Sequence, residues 1–373
     1  MGLSVLFLLS TVSTATIPRA TVLGPGIVSS TVTSFSVFIP TVTRKEYDEK
    51  EAVRLLNFAA SSYGHRHAEC FNSSSSLGED DVHSKWNLHS SLHQTCDIFD
   101  NSCSFFIAVS KEDAEVIVSF RGTQSTSQLF VEGWQSLTPA VNFLGMGKVN
   151  RYFITAHLSI WPELESFLQD DQYKDYRISF TGHSLGGALA ALAAVRTVLQ
   201  GFRTSDQVVL YTFGEPRVGS PKFATEFDRL VPNSFRVVNG RDIVPHLPSC
   251  EKDDSMLMNG MNPCDPSLED GPYHHGTEIW YPFGMESGSK FIVCNGTPFN
   301  EDISCSDKLA FLIDDADRFI GQHVSYFGVK ISHYGRSGCH PRIARSLPQV
   351  QPQTSVDTFF NNISSFFKMI GFD

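Results

Sequence analysis

Tyr176-Arg177-Ile178-Ser179-Phe180-Thr181-Gly182-His183-Ser184-Leu185-Gly186-Gly187-Ala188-Leu189-Ala190-Ala191-Leu192-Ala193-Ala194 is the stretch that decides the fold. Its first six residues form an apolar, β-branched run, and its last seven are strong helix formers. Between them lies a glycine-flanked serine. Strand, tight turn and helix are the context that a G-x-S-x-G nucleophile elbow requires. The serine sits on a strained turn, and the glycines two residues away on either side leave room for neighbouring backbone. Its oxygen stands above a helix N-terminus, which favours negative charge. The plainer alternative is a glycine-rich β-to-α turn with a capping serine.

A serine nucleophile needs a base, and the base needs an orienting acid. On a sheet with such an elbow the acid and then the base follow the serine in the chain. Phe235-Arg236-Val237-Val238 reads as a short strand, and Asn239-Gly240-Arg241-Asp242 turns out of it. Asp242 then sits just past a strand end, where ligand sites of such sheets lie. Ile243-Val244-Pro245 would bury its surroundings. The alternative is an Asx-turn residue that closes a loop. The chain has 13 histidines. Those that follow Asp242 are His246, His274, His275, His323, His333 and His340. His323 is the preferred base, ahead of the aromatic segment Val324-Ser325-Tyr326-Phe327-Gly328. His274 and His275 are its rivals, with a strand start near the site as their other reading. His246 is too close to Asp242 in sequence for an easy triad.

With these residues in place, the chain resembles the class 3 lipases, the family of the secreted fungal triacylglycerol lipases. Phe120-Arg121-Gly122-Thr123 is similar to the family's first oxyanion segment, and Gly182-His183-Ser184-Leu185-Gly186-Gly187 to its elbow. Tyr211-Thr212-Phe213-Gly214-Glu215-Pro216-Arg217-Val218-Gly219 and Arg236 through Pro245 resemble the segments that lead to the acid. His323 with Tyr326-Phe327-Gly328 resembles the segment that carries the base. The match runs from about Tyr47 to about Cys339, with a longer Asp242-to-His323 interval than the fungal pattern. The resemblance implies an α/β-hydrolase-like fold, a mostly parallel central sheet flanked by helices with a lid over the active site. It implies a serine carboxylic ester hydrolase with Ser184, Asp242 and His323 as the catalytic residues. By family position, the backbone amides of Thr123 and Leu185 form the oxyanion hole. In the family the stretch that follows forms the lid. Here it carries Leu129, Phe130, Val131 and Trp134, which a closed lid would bury and an open one present to lipid. An ordinary amphipathic segment packed on the core is the other reading. No cofactor is implied, and no C-x-x-C or H-E-x-x-H pattern supports a metal site.

The rest of the 373 residues reads as one α/β domain, 46–340. Strands are expected at 104–109, 115–120, 177–181, 208–213, 235–238, 278–282 and 290–294. Helices are expected at 48–62, 149–168, 186–200, 222–230 and 307–313. Residues 1–15 resemble a signal peptide with a short apolar core and small residues for cleavage, though without a basic n-region. A poorly ordered leader, 16–45, follows. No apolar run reaches the roughly 18 residues of a membrane span. Residues 341–373 read as a Pro/Gln-rich linker and an amphipathic helix, which either docks on the domain or lies in a lipid interface.

Eight cysteines agree with secretion. They allow on the order of a hundred pairings. Proximity favours Cys96 with Cys103, Cys250 with Cys264 and Cys294 with Cys305, which leaves Cys70 for Cys339. Asn72, Asn295 and Asn362 begin N-glycosylation sequons. A formal charge of −11 argues against nucleic-acid partners and makes an acidic lipid surface a poor match. The implied partner is a neutral lipid or ester at a lipid–water interface. Within the same chemistry, a phospholipase A1, a feruloyl-type esterase and an acyl transferase to a non-water acceptor stay open. A lipid-binding relative without catalysis is the non-enzyme alternative.

Overall fold

A computed structural model of the protein describes residues 44–72, 85–96, 102–123, 140–255, 262–286, 288–311 and 316–340. Residues 1–43 of the expected leader segments, Leu129, Phe130, Val131 and Trp134 of the expected lid, Asn362 and the C-terminal helix lie outside the described residues, whereas Lys45, expected in the poorly ordered leader, donates its amide to Asn233 Oδ1 at 2.7 Å.

An eight-stranded sheet organises the fold, in the order β1-β2-β3-β6-β7-β8-β9-β10. The strands are β1 Trp86–Thr95, β2 Ser102–Ser110, β3 Glu115–Phe120, β6 Arg177–His183, β7 Val208–Phe213, β8 Ser234–Asn239, β9 Thr277–Tyr281 and β10 Ile292–Cys294. From β3 to β9 every pairing is parallel, whereas β1, β2 and β10 close the two edges antiparallel. Two-residue strands pair separately, β4 Val141–Asn142 with β5 Lys148–Val149 and β11 Ser325–Tyr326 with β12 Val329–Lys330.

Alternation along the strands feeds two cores. Phe105, Ile107, Val109, Val116, Val118, Phe120, Ile178 and Phe180 face one side. Phe106, Ala108, Ile117, Val209, Tyr211, Phe213, Val237 and Ile279 face the other. A sheet buried on both faces needs helices on both. On the first face lie α3 Arg151–Leu168 and α4 Leu185–Leu199, and on the second α1 Glu49–Ser61. The Ala- and Gly-rich first half of α4 is buried on every side, so its backbone can approach the sheet closely. Each large apolar side chain buried in this way contributes about 1.5–3 kcal/mol. Asp48 caps α1 by accepting from the amides of Lys50 and Glu51, and Ser220 caps α5 Pro221–Leu230 at Phe223.

The expected elements of the parallel region are present within a residue or two at their ends. The helix expected at 307–313 is not. Ser306–Lys308 forms a single 3₁₀ turn, and Leu309 is extended with ψ 131°. The Cys294–Cys305 disulfide holds the chain just before it, and Arg217 draws the Asp307 side chain inward. Local propensity gives way to these tertiary ties. Helices α2 His67–Asn72, α6 Ala316–His323 and α7 Ile331–Arg336 had no counterpart in the sequence reading, nor had β1, a mostly exposed edge strand with a polar sequence.

The four disulfides are the pairs that proximity favours. Cys70–Cys339 ties α2 to the residues after α7 across 269 positions, and two others staple the long segment between Asp242 and His323. Asn295 is exposed just past β10, and Asn72 ends α2. Among the described residues no helix is long and apolar enough to cross a membrane.

His157 of α3 is fully buried between Phe143 and Trp161. Burial, aided by the nearby Arg196 charge, lowers its pKa from 6.5 to about 3. A folded-state pKa below the unfolded one gives stability that is complete above pH 6.5 and is lost as pH falls toward 3. Between pH 7 and 5 this one group should cost the wild type about 2 kcal/mol. Urea unfolding at both pH values should show a loss about 2 kcal/mol smaller in His157→Phe than in the wild type. An equal loss in both proteins would contradict the assignment.

Candidate active site

The elbow is built where β6 hands over to α4. Ser184 takes φ 61° and ψ −131°, a backbone conformation that costs a non-glycine residue energy and persists only when the surroundings enforce it. Those surroundings are tight. A Cβ on Gly182 would stand 2.2 Å from the Gly186 carbonyl oxygen, and one on Gly186 would stand 2.3 Å from that of Phe120. The Ser184 amide donates to the Phe213 carbonyl at the end of β7 (2.9 Å). Leu185 opens α4, so its amide is among the first-turn N–H groups that no helix carbonyl can accept, at the positive end of the helix dipole.

Asp242 leaves β8 by a turn in which Gly240 has φ 54° and the Asp242 amide donates to the Asn239 carbonyl at 2.9 Å. Its carboxylate is fully buried. Oδ1 accepts from the Val244 amide at 2.9 Å and Oδ2 from the Tyr326 hydroxyl at 2.5 Å. The Asx turn and the contact with His323 therefore coexist in one side chain. His323 is the last residue of α6, with Nδ1 3.0 Å from both Asp242 oxygens and Nε2 3.0 Å from Ser184 Oγ. A carboxylate only accepts, so Nδ1 carries the proton and Nε2 is left to accept from the serine hydroxyl. Burial alone would raise the Asp242 pKa. The His323 charge and hydrogen bond, the Tyr326 hydroxyl and the Val244 amide outweigh it and hold the carboxyl below its usual range. Burial and the Asp242 charge push the Tyr326 hydroxyl well up, so it stays a donor.

The structure thus brings together Ser184, just past the carboxyl end of β6, Asp242, just past that of β8, and His323 at the end of α6. The rival histidines are engaged elsewhere. His274 Nε2 lies 2.6 Å from the Pro245 carbonyl, His275 Nε2 2.8 Å from Glu215, and His246 Nδ1 3.4 Å from Asp307. Pro245 follows Asp242 by three residues, so His274 steadies the acid loop from outside. Gly122, next to Thr123, lies against Ser184, where a Cβ would be 3.3 Å from Ser184 Cβ.

Sequence reasoning assigned no role to four residues that frame these three. Tyr326 holds the acid. Gly214 has φ 60° and sits where a Cβ would meet Asp242 Oδ2 at 2.6 Å and His323 Nδ1 at 2.9 Å. His183, inside the elbow motif, contacts the His323 carbonyl, and Tyr63, from the turn after α1, contacts His183. The signal for Gly214 was present in the segment Tyr211–Gly219. Tyr63 lies 120 residues from its partner and carries no local signature.

Comparison with known proteins agrees with this geometry. Residues 117–252 match the lipase (class 3) family model. A lipase of Caenorhabditis elegans is 43% identical over 307 residues, 81% of this chain and 86% of its own. The lipase of Rhizomucor miehei is 33% identical over 186 residues, 49% of this chain and 44% of its own. The native propeptide complex of that lipase matches with a TM-score of 0.54 at 26% identity, over 76% of this chain and 81% of that one. A triacylglycerol lipase whose catalytic centre is described as a serine-protease triad matches with a TM-score of 0.55 at 25% identity, over 76% of this chain and 95% of that one. With the fold, the elbow and this extent of similarity in agreement, the chain belongs to the class 3 lipase family and is a carboxylic ester hydrolase.

Proposed function

We propose that the protein is a secreted triacylglycerol lipase that works through Ser184, Asp242 and His323 and a covalent acyl-enzyme. His323 Nε2 takes the Ser184 proton as Oγ attacks the ester carbonyl carbon. The C=O electron pair moves onto oxygen, and the backbone amides of Thr123 and Leu185 receive the oxyanion. Losing one such donor typically costs about 10²–10³ in turnover. The tetrahedral intermediate collapses, and His323 gives its proton to the departing alkoxide. Water then attacks the acyl carbon as it loses a proton to His323, the bond from that carbon to Ser184 Oγ breaks, His323 returns the proton to Oγ, and the fatty acid leaves. Asp242 holds the Nδ1–H tautomer throughout and stabilises the imidazolium.

The hydrogen-bonded line from Ser184 Oγ through both nitrogens of His323 to Asp242 carries this assignment, each step 3.0 Å. The signal-like residues 1–15, four disulfides and an exposed sequon at Asn295 support secretion. An apolar stretch at Leu129, Phe130, Val131 and Trp134, directly after the oxyanion segment, suits a lid that opens on lipid.

Hydrolysis of tributyrin below and above its solubility limit tests this reading. Activity should rise sharply above the limit and exceed activity on phosphatidylcholine vesicles and on feruloyl esters. Preferential release of fatty acid from phosphatidylcholine, or of ferulate, would contradict the triacylglycerol assignment while leaving the triad intact.

A further inference from the structure

We propose that Tyr63 and His183 are positioning residues that tie the oxyanion segment to the main chain of the base through one directed line of hydrogen bonds. The inference rests on the Ser184–His323–Asp242 assignment.

The direction of the line follows from the chemistry of its atoms. His183 Nε2 lies 2.8 Å from the His323 carbonyl oxygen. A carbonyl only accepts, so Nε2 carries the proton. The His183 ring is buried, and burial with the adjacent His323 charge lowers its pKa to about 3, so it holds a single proton. Nδ1 is therefore an acceptor, and the Tyr63 hydroxyl, 2.8 Å away, must donate to it. Burial raises the Tyr63 pKa, so the hydroxyl keeps its proton. The Gly122 backbone amide beside its oxygen offsets part of that rise. Gly122 is packed so closely that a Cβ there would stand 2.3 Å from Tyr63 Oη and 2.6 Å from the His183 carbonyl oxygen.

The ends of the line are the two parts of the site that must keep register. Gly122 adjoins Thr123. The His323 carbonyl is at the C-terminal end of α6, where carbonyls take donors from outside the helix. His183 supplies that donor from the residue next to Ser184, so the base is anchored to the nucleophile's neighbour. The two imidazoles lie 4.6 Å apart at 31°, which restricts the swing of His323. Neither Tyr63 nor His183 is placed at the reacting atoms, so their effect should appear in turnover rather than in substrate binding.

The test uses the full-length enzyme and p-nitrophenyl butyrate below its solubility limit, with active sites counted by a phosphonate burst and folding checked by thermal unfolding. Tyr63→Phe should lower kcat about tenfold with KM within about twofold, and His183→Leu should lower it about a hundredfold. His183→Gln places an N–H close to the position of Nε2 and should recover at least about tenfold of the His183→Leu loss. Should His183→Leu fail to fold, Tyr63→Phe, which deletes a single oxygen, decides alone. Folded Tyr63→Phe with wild-type kcat, or a folded His183→Gln no better than His183→Leu, overturns the proposal. Ser184→Ala, measured alongside, separates the two levels. Full turnover in that variant overturns the nucleophile assignment, whatever Tyr63 does.

Discussion

Asp242→Asn is expected to fold normally and to lose about 10⁴ in kcat on a soluble ester. The carboxylate accepts from three donors: the Val244 amide at Oδ1, the Tyr326 hydroxyl at Oδ2 and His323 Nδ1 between them. Asparagine replaces one of the two oxygens with a donor. If its NH₂ faces Val244, two donors oppose each other in a fully buried place. If its NH₂ faces Tyr326 and His323, Nδ1 must become an acceptor and the proton moves to Nε2. That tautomer cannot take the serine proton. The second placement keeps the Val244 amide satisfied and is the one expected, so the base is disabled while the site keeps its shape. Steady-state kinetics on p-nitrophenyl butyrate, with near-ultraviolet circular dichroism as a folding check, would show this. A folded variant within tenfold of wild type would contradict the orienting role.

The second large effect is on stability. Arg217 is 2% exposed and donates from Nε and Nη2 to the two oxygens of Glu301, from Nη2 to Asp307 and from Nη1 to the Pro248 carbonyl. Burial raises the Asp307 pKa, but Arg217, with His246 and Lys252, outweighs it and holds the carboxyl well below its ordinary range. Arg217→Leu would strand two buried carboxylates, a loss of about 3–5 kcal/mol. The thermal midpoint should fall on the order of 10 °C. Arg217→Leu combined with Glu301→Leu should recover part of the fall, because the second change removes one buried carboxyl group left without its guanidinium. A midpoint within 2–3 °C of wild type, roughly 1 kcal/mol, would show that the cluster adds little. The cluster also explains the geometry of the acid loop. Asp307 reaches His246 at 3.4 Å, four residues beyond Asp242, and the Cys250–Cys264 disulfide stands beside it.

The parts of this molecule that were legible in its sequence are those encoded over short spans. Strand, Gly-flanked serine and Ala-rich helix are contiguous, so β6, Ser184 and α4 could be placed together. Asp242 was legible for the same reason, as a turn residue just after an apolar run. His323 required choosing among histidines that look alike in sequence, and it lies 81 positions from its partner. The aromatic segment after it favours it in the sequence, and the fold separates it from His274 and His275, which are spent on Pro245 and Glu215. Tyr63 illustrates the limit. It follows α1, and nothing in Ser62-Tyr63-Gly64 points to an elbow 120 residues later. The failed helix at 307–313 has the complementary cause. Its propensity was real, but a disulfide at Cys305 and a buried guanidinium at Arg217 fixed the backbone otherwise. β1 escaped notice because an exposed edge strand keeps polar residues, and Trp86-Asn87-Leu88-His89-Ser90-Ser91-Leu92-His93-Gln94-Thr95 offers little apolar alternation.

The central claim is that Ser184 is the nucleophile of an ester hydrolase, and covalent trapping tests it most directly. The purified enzyme is incubated with a p-nitrophenyl alkylphosphonate, the released p-nitrophenol is counted, and the modified peptide is sequenced by mass spectrometry. One equivalent of p-nitrophenol per enzyme, an adduct on Ser184, parallel loss of esterase activity and no burst from Ser184→Ala are expected. A stoichiometric burst from Ser184→Ala, or an adduct on any other residue with Ser184 unmodified, would contradict it.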